Sequence, residues 1–443
     1  MRKIIIIGNG ISGITCARHI RKKCDDEIVV ISAETEYFYA RTALMYIYMG
    51  HMKYEHTKPY EDFFWVKNRI TLLHGFVKKI DTEKKLLHFE KLQPQPYDVL
   101  VIATGSVTKK YDWPGQDLTG VSGLYNYQDL QAIESLTKNI KHAVIVGGGL
   151  IGVELAEMLH SRQIDVTLLV KEKSYWSNVL PPQDALLVGN HIKNNGIKIL
   201  FETELEKING DNNGKVKSIT TGNGKNIDCS FVGITTGVAP NIAFLKDSLI
   251  KTDKGIIVSE HFETNIKDVY AIGDCAEFKE AINSRKKIEQ VWYTGRMHGE
   301  TLAAIITGQK QAYNPGPWFN SAKFFNLEYQ TYGTVNAEPG ENEKYFSWKY
   351  ADKDIAVTIM YNLQTQAFSG INTFGIRMRH EYFDNCLRKK FTINEVLLRL
   401  SDGIFDKEFE KNYVPAIIDA YNKNTGSNLV YKRRKKLFSF FNN

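Results

Sequence analysis

The sequence predicts an α/β fold in which a strand, a glycine turn and a helix occur together twice before an α+β domain, and three observations predict it. Lys3 to Ile7 is a continuous apolar strand that runs into Gly8, Gly10 and Gly13 and then into apolar residues at helical spacing, Ile14, Ala17 and Ile20. Ala143 to Val146 does the same ahead of Gly147, Gly149 and Gly152, with Ile151, Leu155, Met158 and Leu159 on one helical face. From Pro315 and Pro317 onward the texture changes to an aromatic-rich pattern with strand-like alternation. In each G-x-G-x-x-G turn the first glycine allows the tight turn and the second lets a pyrophosphate approach the backbone. The third lets helix and strand pack closely, so that the helix N-terminus faces the anion. A single such turn also suits mere packing, whereas two in the same context point to one chain holding two dinucleotides in Rossmann-like domains.

Composition agrees with that architecture. The 443 residues suffice for about three domains. With 43% hydrophobic and 24% charged residues the chain has the balance of a soluble globular protein, and no run approaches the roughly 18 apolar residues of a membrane span. The N-terminus passes directly from two basic residues into strand and glycine turn, without the apolar stretch of a signal peptide, so a cytoplasmic location is expected. Five scattered cysteines, Cys16, Cys24, Cys229, Cys275 and Cys386, form no CxxC or CxxxxC pair, and neither a disulfide framework nor a metal site is expected. The net charge of +7 is concentrated partly in Lys432 to Lys436, and no nucleic-acid partner is expected.

Taken in order, the first unit continues into a second strand, Ile28 to Ile31, and then Glu34, about 20 residues past the last glycine, where an acidic side chain takes ribose hydroxyls or else is a solvated loop carboxylate. Leu100 to Ala103 is a strand ending in Thr104 and Gly105. Val269 to Ile272 is a buried strand delivering Gly273 and Asp274, the aspartate accepting hydrogen bonds from a sugar-like chain, capping a helix, or both. Cys275 reads as a small buried thiol.

These motifs, in this order, resemble the two-dinucleotide-binding-domain flavoproteins of the pyridine nucleotide-disulfide oxidoreductase superfamily. Tyr97 to Ser106, YDVLVIATGS, resembles that family's strand before the chain crosses between its domains, here through Trp113, Pro114 and Gly115. Val232 to Asn241 resembles the return crossing, and Thr264 to Ala276, TNIKDVYAIGDCA, the second FAD fingerprint. The resemblance covers roughly residues 1 to 330. It implies an FAD domain of residues 1–113 and 251–318, an NAD(P) domain of residues 114–250 inserted in it, and an interface-type domain of residues 319–443. It assigns Gly8, Gly10, Ser12, Gly13, Glu34, Arg41, Val77, Thr104, Gly105, Gly237, Gly273 and Asp274 to cofactor binding, together with Gly147, Gly149, Ile151 and Gly152 of the second turn.

The redox cysteine pair of the family's disulfide reductases is missing. Where it belongs the chain has Tyr39, Ala40, Arg41, Thr42, Ala43 and Leu44, which resembles the Tyr-x-Arg-x-x-Leu stretch of ferredoxin and rubredoxin reductases and of the flavin part of assimilatory nitrite reductases. A lysine that follows in those reductases, paired with the glutamate of the second glycine loop, is replaced here by Tyr46. Glu154 is that glutamate; it pairs with Arg41, or with nothing, or lies on an exposed helix face. Glu154, Arg41 and Tyr46 are the candidate catalytic residues. Trp292 resembles the residue that lies against the flavin ring, with a core tryptophan as the competing reading.

At the end of the second strand of the inserted domain, Val170 stands where NADH-preferring relatives have an acidic residue. Lys171 resembles the basic residue of NADPH users, Glu172 argues the other way, and a solvated charge cluster is the third reading; the lean is to NADPH. The resemblance thus implies an FAD-dependent NAD(P)H oxidoreductase passing electrons to an external acceptor, with a small carrier of ferredoxin or rubredoxin type as partner and a homodimer as the quaternary expectation. A peripheral membrane NADH:quinone oxidoreductase is the alternative, resting on the basic and aromatic stretch Lys432 to Phe441. A flavoprotein whose redox state governs docking is a further one.

Overall fold

The computed structural model describes residues 1–283, 285–406 and 411–431. The basic stretch at residues 432–443, on which the membrane alternative rests, lies outside the described residues. Among the described residues no helix is long and apolar enough to cross a membrane. The chain divides into two compact units, residues 1–173 with 196–316, and residues 174–195 with 317–443.

The first unit holds two five-stranded parallel sheets. One runs, edge to edge, through Val269–Ala271, Val99–Ile102, Lys3–Ile7, Glu27–Ser32 and Ile70–His74. Its register pairs Ile7 with both Ile31 and Ile102, so the first glycine turn leaves the middle of the sheet. Ile4 to Ile7 are buried on both faces, which is why this strand is a continuous apolar run rather than an alternating one. The other sheet runs Lys198–Leu200, Asp165–Leu169, His142–Val146, Phe231–Ile234 and Val121–Ser122, again with the glycine-turn strand at its centre. Between the two sheets the chain crosses twice, and the crossings pair with each other: Ser106–Thr108 lies antiparallel to Val238–Pro240.

Helix Ile11–Arg21 packs closely against helix Trp292–Ile306. A Cβ on Gly299 would meet the Ser12 carbonyl oxygen at 2.5 Å and the Cys16 nitrogen at 3.0 Å, so the helices touch through backbone. Gly299→Ala is expected to destabilise the fold by about 1–3 kcal/mol, read as a lowered thermal midpoint. An unchanged midpoint would show that the helices have room to part.

The second unit is built on an antiparallel sheet in the order Phe319–Phe324, Leu327–Gly333, Phe368–Phe374, Ala356–Asn362, Glu343–Lys349. Helices His380–Arg388, Ile393–Leu398 and Val414–Thr425 share its core, through Phe383, Val396 and Ile417. Helix Pro182–Asn194, which in sequence falls between two strands of the second parallel sheet, belongs to this unit. Its buried Asp184 accepts hydrogen bonds from Thr358 Oγ1 at 2.6 Å and Asn372 Nδ2 at 3.0 Å, and His191 Nδ1 lies 2.7 Å from Asp354. Burial raises the Asp184 pKa to about 6, with the two hydrogen bonds opposing it.

Candidate functional site

The first glycine turn is shaped by contacts that leave no room for a side chain. Gly8 has φ +116°, and a Cβ there would lie 2.0 Å from the Ala103 carbonyl oxygen. A Cβ on Gly13 would lie 2.0 Å from the Gly8 oxygen, while Gly10 faces open space. Helix Ile11–Arg21 then starts with no side-chain cap and no acidic residue in its first turn, which leaves its leading N–H groups to an anion. The turn opens on a cavity of about 610 Å³. A dinucleotide pyrophosphate fits this cradle by shape and by dipole.

Asp274 also lines the cavity. Strand Val269–Ala271 delivers it, and its Oδ2 accepts hydrogen bonds from Ser106 Oγ and Tyr125 Oη, both at 3.2 Å. Burial raises its pKa, while those two hydrogen bonds and the Arg41 charge pull it down. Gly273, at φ +75°, packs against Ser12.

At the end of strand Glu27–Ser32, the Glu34 carboxylate also lines the cavity and is held by several donors. Arg41 bridges it at 2.6 and 3.0 Å, the Tyr127 N–H donates at 2.9 Å, and the Tyr39 hydroxyl donates as well. Burial alone would raise its pKa, but the guanidinium and these hydrogen bonds bring it below the ordinary carboxylate value. Arg41 also donates to the Tyr125 carbonyl at 2.8 Å. The expected choice for Arg41 therefore resolves against Glu154: Glu34 lies closer along the same segment and takes both guanidinium nitrogens.

The second glycine turn repeats the first. Gly147 has φ +125° with a Cβ position 2.6 Å from the Thr235 oxygen, and that of Gly152 lies 2.5 Å from the Gly147 oxygen. Helix Leu150–Ser161 starts at Gly149 with no side-chain cap. This helix projects Ile151 and Glu154 into the wall of the cavity that the first turn opens on. Glu154 is thus partly buried on the cavity wall, not on an exposed face. Burial and the neighbouring Glu157 raise its pKa to about 7. Tyr46 is near both carboxylates, stacks on His51 at 6.0 Å, and its pKa is raised by burial and by their charges.

The cavity also gathers Gly8, Gly10, Ser12, Arg41, Val77, Thr104, Gly105, Gly273 and Trp292 from the sequence-based set. Outside its lining lie Gly13, Tyr46, Gly147, Gly149, Gly152, Lys171, Glu172 and Gly237. Lys171 is exposed and pairs with Glu204 at 3.1 Å, and the Glu172 carbonyl accepts the Glu202 N–H. Val170 is fully buried, its side chain over Gly148. Among the described residues no cysteine lines the cavity: the Cys275 thiol faces the carbonyls of Ile102 and Ile272, and burial pushes its pKa up to about 11. Sequence reasoning missed Ser106, Tyr125 and Tyr127 as parts of the site. The only local signal was the capping box, in which Asn126 and Asp129 start helix Tyr127–Leu136 and so fix the two tyrosines beside it.

Comparison with known proteins follows the same lines. The model of a family described as pyridine nucleotide-disulphide oxidoreductase matches residues 2–299. A nitrite reductase [NAD(P)H] of Bacillus subtilis is 30% identical over 63% of this chain and 35% of its own length. An NADH-rubredoxin oxidoreductase of Clostridium acetobutylicum is 31% identical over 62% of this chain and 68% of its own. The chain spans only about a third to a half of the first two curated relatives it matches. The crystal structure of the NADH:rubredoxin oxidoreductase from Clostridium acetobutylicum superposes with a TM-score of 0.68 at 25% identity, covering 96% of this chain and 99% of that one.

Proposed function

The chain belongs to the pyridine nucleotide-disulphide oxidoreductase family, and on that premise we propose that it is an FAD-dependent NAD(P)H oxidoreductase that delivers electrons to a small carrier protein of ferredoxin or rubredoxin type. The observation that carries this reading is a cavity of about 610 Å³ lined both by the first glycine turn with Asp274 and by Ile151 and Glu154 of the second glycine helix. It brings one dinucleotide cradle within reach of the helix that follows the other. When bound, the flavin supplies hydride acceptance and the release of single electrons, chemistry that side chains lack.

The protein's own groups bind and orient. In this reading Gly8 to Gly13 and the helix behind them hold the FAD pyrophosphate, Asp274 accepts from ribityl hydroxyls, and Glu34, fixed by Arg41, stands at the adenosine ribose. Gly147, Gly149 and Gly152 hold the nicotinamide dinucleotide, with residues 1–113 and 251–318 as the FAD part, 114–250 as the NAD(P) part and 319–443 as an interface-type domain. NADPH is the preferred donor through Lys171, whose partner Glu204 is exposed and yields cheaply to a phosphate. The carrier as acceptor is supported by the rubredoxin-linked relative, and by a cavity wall that Arg41 and Thr42 line where a redox thiol would stand.

Stopped-flow mixing of the flavin-loaded protein with NADPH and NADH tests the proposal. Fast bleaching of the flavin, faster with NADPH, is expected, and bleaching by neither would end it. Ferredoxin and rubredoxin then serve as acceptors, with quinone as the competing one.

The pH dependence of that reduction has a worked sign. An ionised Glu154 on the cavity wall would stabilise the positive charge that a dihydronicotinamide ring would gain on losing hydride, and so would favour the transfer. Because Glu154 titrates near 7, the reduction rate is expected to rise between about pH 6 and pH 8 and to level off above. Glu154→Gln flattens this profile; a variant that keeps the full slope would remove Glu154 from the role.

A further inference from the structure

We propose that His298 is a positioning residue for the flavin dinucleotide, its neutral imidazole holding the Gly273–Asp274 turn against the cavity by taking the Gly273 N–H. This rests on the FAD reading above and adds a residue that no motif in the sequence marks.

The turn is held from two sides. Ser106 and Tyr125 fix the Asp274 side chain, as described, and the backbone is fixed from behind: the buried Gly273 N–H donates to His298 Nδ1 at 3.1 Å. His298 lies on helix Trp292–Ile306 and is 2% exposed. Since Nδ1 accepts, the ring proton must sit on Nε2, which is buried without a hydrogen-bond partner. Around the ring are Tyr313 at 4.6 Å, Phe262 at 4.8 Å and Phe278 at 5.5 Å, centroid to centroid. An apolar side chain would suit this aromatic box better than an imidazole with one nitrogen unsatisfied. The polar ring is therefore explained by its other nitrogen, and that nitrogen touches the turn that carries Asp274.

Protonation would destroy the acceptor, and the surroundings forbid it. Burial, with the nearby Arg285 cation, pushes the His298 pKa down to about 3. Arg285 is itself held by Glu289 at 2.5 Å, and among the described residues no carboxylate pairs with the imidazole. The hydrogen bond is thus constant across the working pH range, which suits a fixed support and not a switch.

Two measurements on the flavin-loaded chain test the assignment. In ¹⁵N-histidine NMR, His298 is expected as the Nε2–H tautomer, without titration from pH 5 to 9; an Nδ1–H tautomer, or a titration in that range, overturns the proposal. In FAD titrations of the apo protein, His298→Leu is expected to weaken binding by about tenfold or more. His298→Gln, whose amide oxygen again accepts from Gly273, restores affinity to within about threefold of wild type. Equal binding by His298→Leu and wild type overturns the proposal, as does a folded His298→Gln as weak as His298→Leu. If His298→Leu does not fold, the tautomer and the glutamine variant decide. A wild-type chain that takes up no FAD overturns the flavin reading and this inference together, whereas wild-type uptake with an indifferent leucine variant overturns this inference alone.

Discussion

Gly13→Ala is expected to lower FAD affinity by about ten- to a hundredfold. The backbone at this position is ordinary for any residue, so conformational strain is not the obstacle. The obstacle is contact: the added methyl would sit 2.0 Å from the Gly8 carbonyl oxygen and 3.2 Å from Ile6 Cγ2. One of these atoms belongs to the backbone of the turn and cannot swing aside as a long side chain would. Either helix Ile11–Arg21 moves off strand Lys3–Ile7 or the turn opens, and both displace the N–H groups that face the cavity. Overpacking of this kind costs about 1–3 kcal/mol, and each 1.4 kcal/mol is a tenfold change in binding. Gly10→Ala is the matched control, because among the described residues, its two chain neighbours aside, nothing lies within 4 Å of its Cβ position. Fluorescence titration and urea unfolding should then separate the two: Gly13→Ala lowers both affinity and apo stability, Gly10→Ala affinity alone. Binding by Gly13→Ala at the wild-type level would mean that the turn is not the dinucleotide cradle.

The second large effect is at Arg41. Removing the guanidinium in Arg41→Met leaves Glu34 ionised among Tyr39, Tyr125 and Tyr127, at a cost of about 2–4 kcal/mol. The figure is set below that of a fully enclosed pair because the two side chains are still 29% and 19% exposed. The pH dependence carries the sharper test. In the wild type the Glu34 carboxyl lies below its ordinary 4.5, so its contribution is present above that pH and is lost on acidification. In Arg41→Met burial is opposed only by the Tyr39 and Tyr127 hydrogen bonds, so the folded-state pKa moves up, and the penalty is full at neutral pH and relieved as pH falls through the raised value. The stability gap between wild type and variant should therefore narrow from pH 7.5 to pH 5. Adding Glu34→Gln to Arg41→Met should recover part of the loss at pH 7.5. A gap that is independent of pH would show that packing of the arginine, not its charge, is what matters.

Much of the architecture was legible because it is written locally. A buried parallel strand, a glycine turn and a helix occupy neighbouring positions, so Lys3 to Ile20 and Ala143 to Leu159 announce themselves without reference to the rest of the chain. The strand-like alternation beyond Pro317 likewise foreshadows strands Glu343–Lys349 and Ala356–Asn362. What escaped depends on contacts between distant segments. Glu34 is near Arg41 in sequence, but the pattern does not show that it is taken in preference to Glu154; the fold decides by bringing Tyr125 and Tyr127 across to close the Glu34 side. Helix Pro182–Asn194 has an unremarkable amphipathic pattern, and it is the contacts of Asp184 with Thr358 and Asn372, and of His191 with Asp354, that tell which sheet it serves. His298 is hidden for the same reason, because an acceptor for one backbone N–H leaves no spacing to read.

The pairing of Ser106–Thr108 with Val238–Pro240 has a consequence for how such a chain can be taken apart. The Lys109 N–H bonds the Gly237 carbonyl at 3.1 Å, so everything from residue 110 to 236 leaves and returns through adjoining positions on one short ribbon. To the sheet that carries Lys3–Ile7, those residues are topologically a hairpin loop of great length. Exchanging that segment would leave the strand order of this sheet unaltered, but it would carry away helix Pro182–Asn194 of the second unit and the Tyr125 and Tyr127 contacts to Arg41 and Glu34, so a replacement has to supply both.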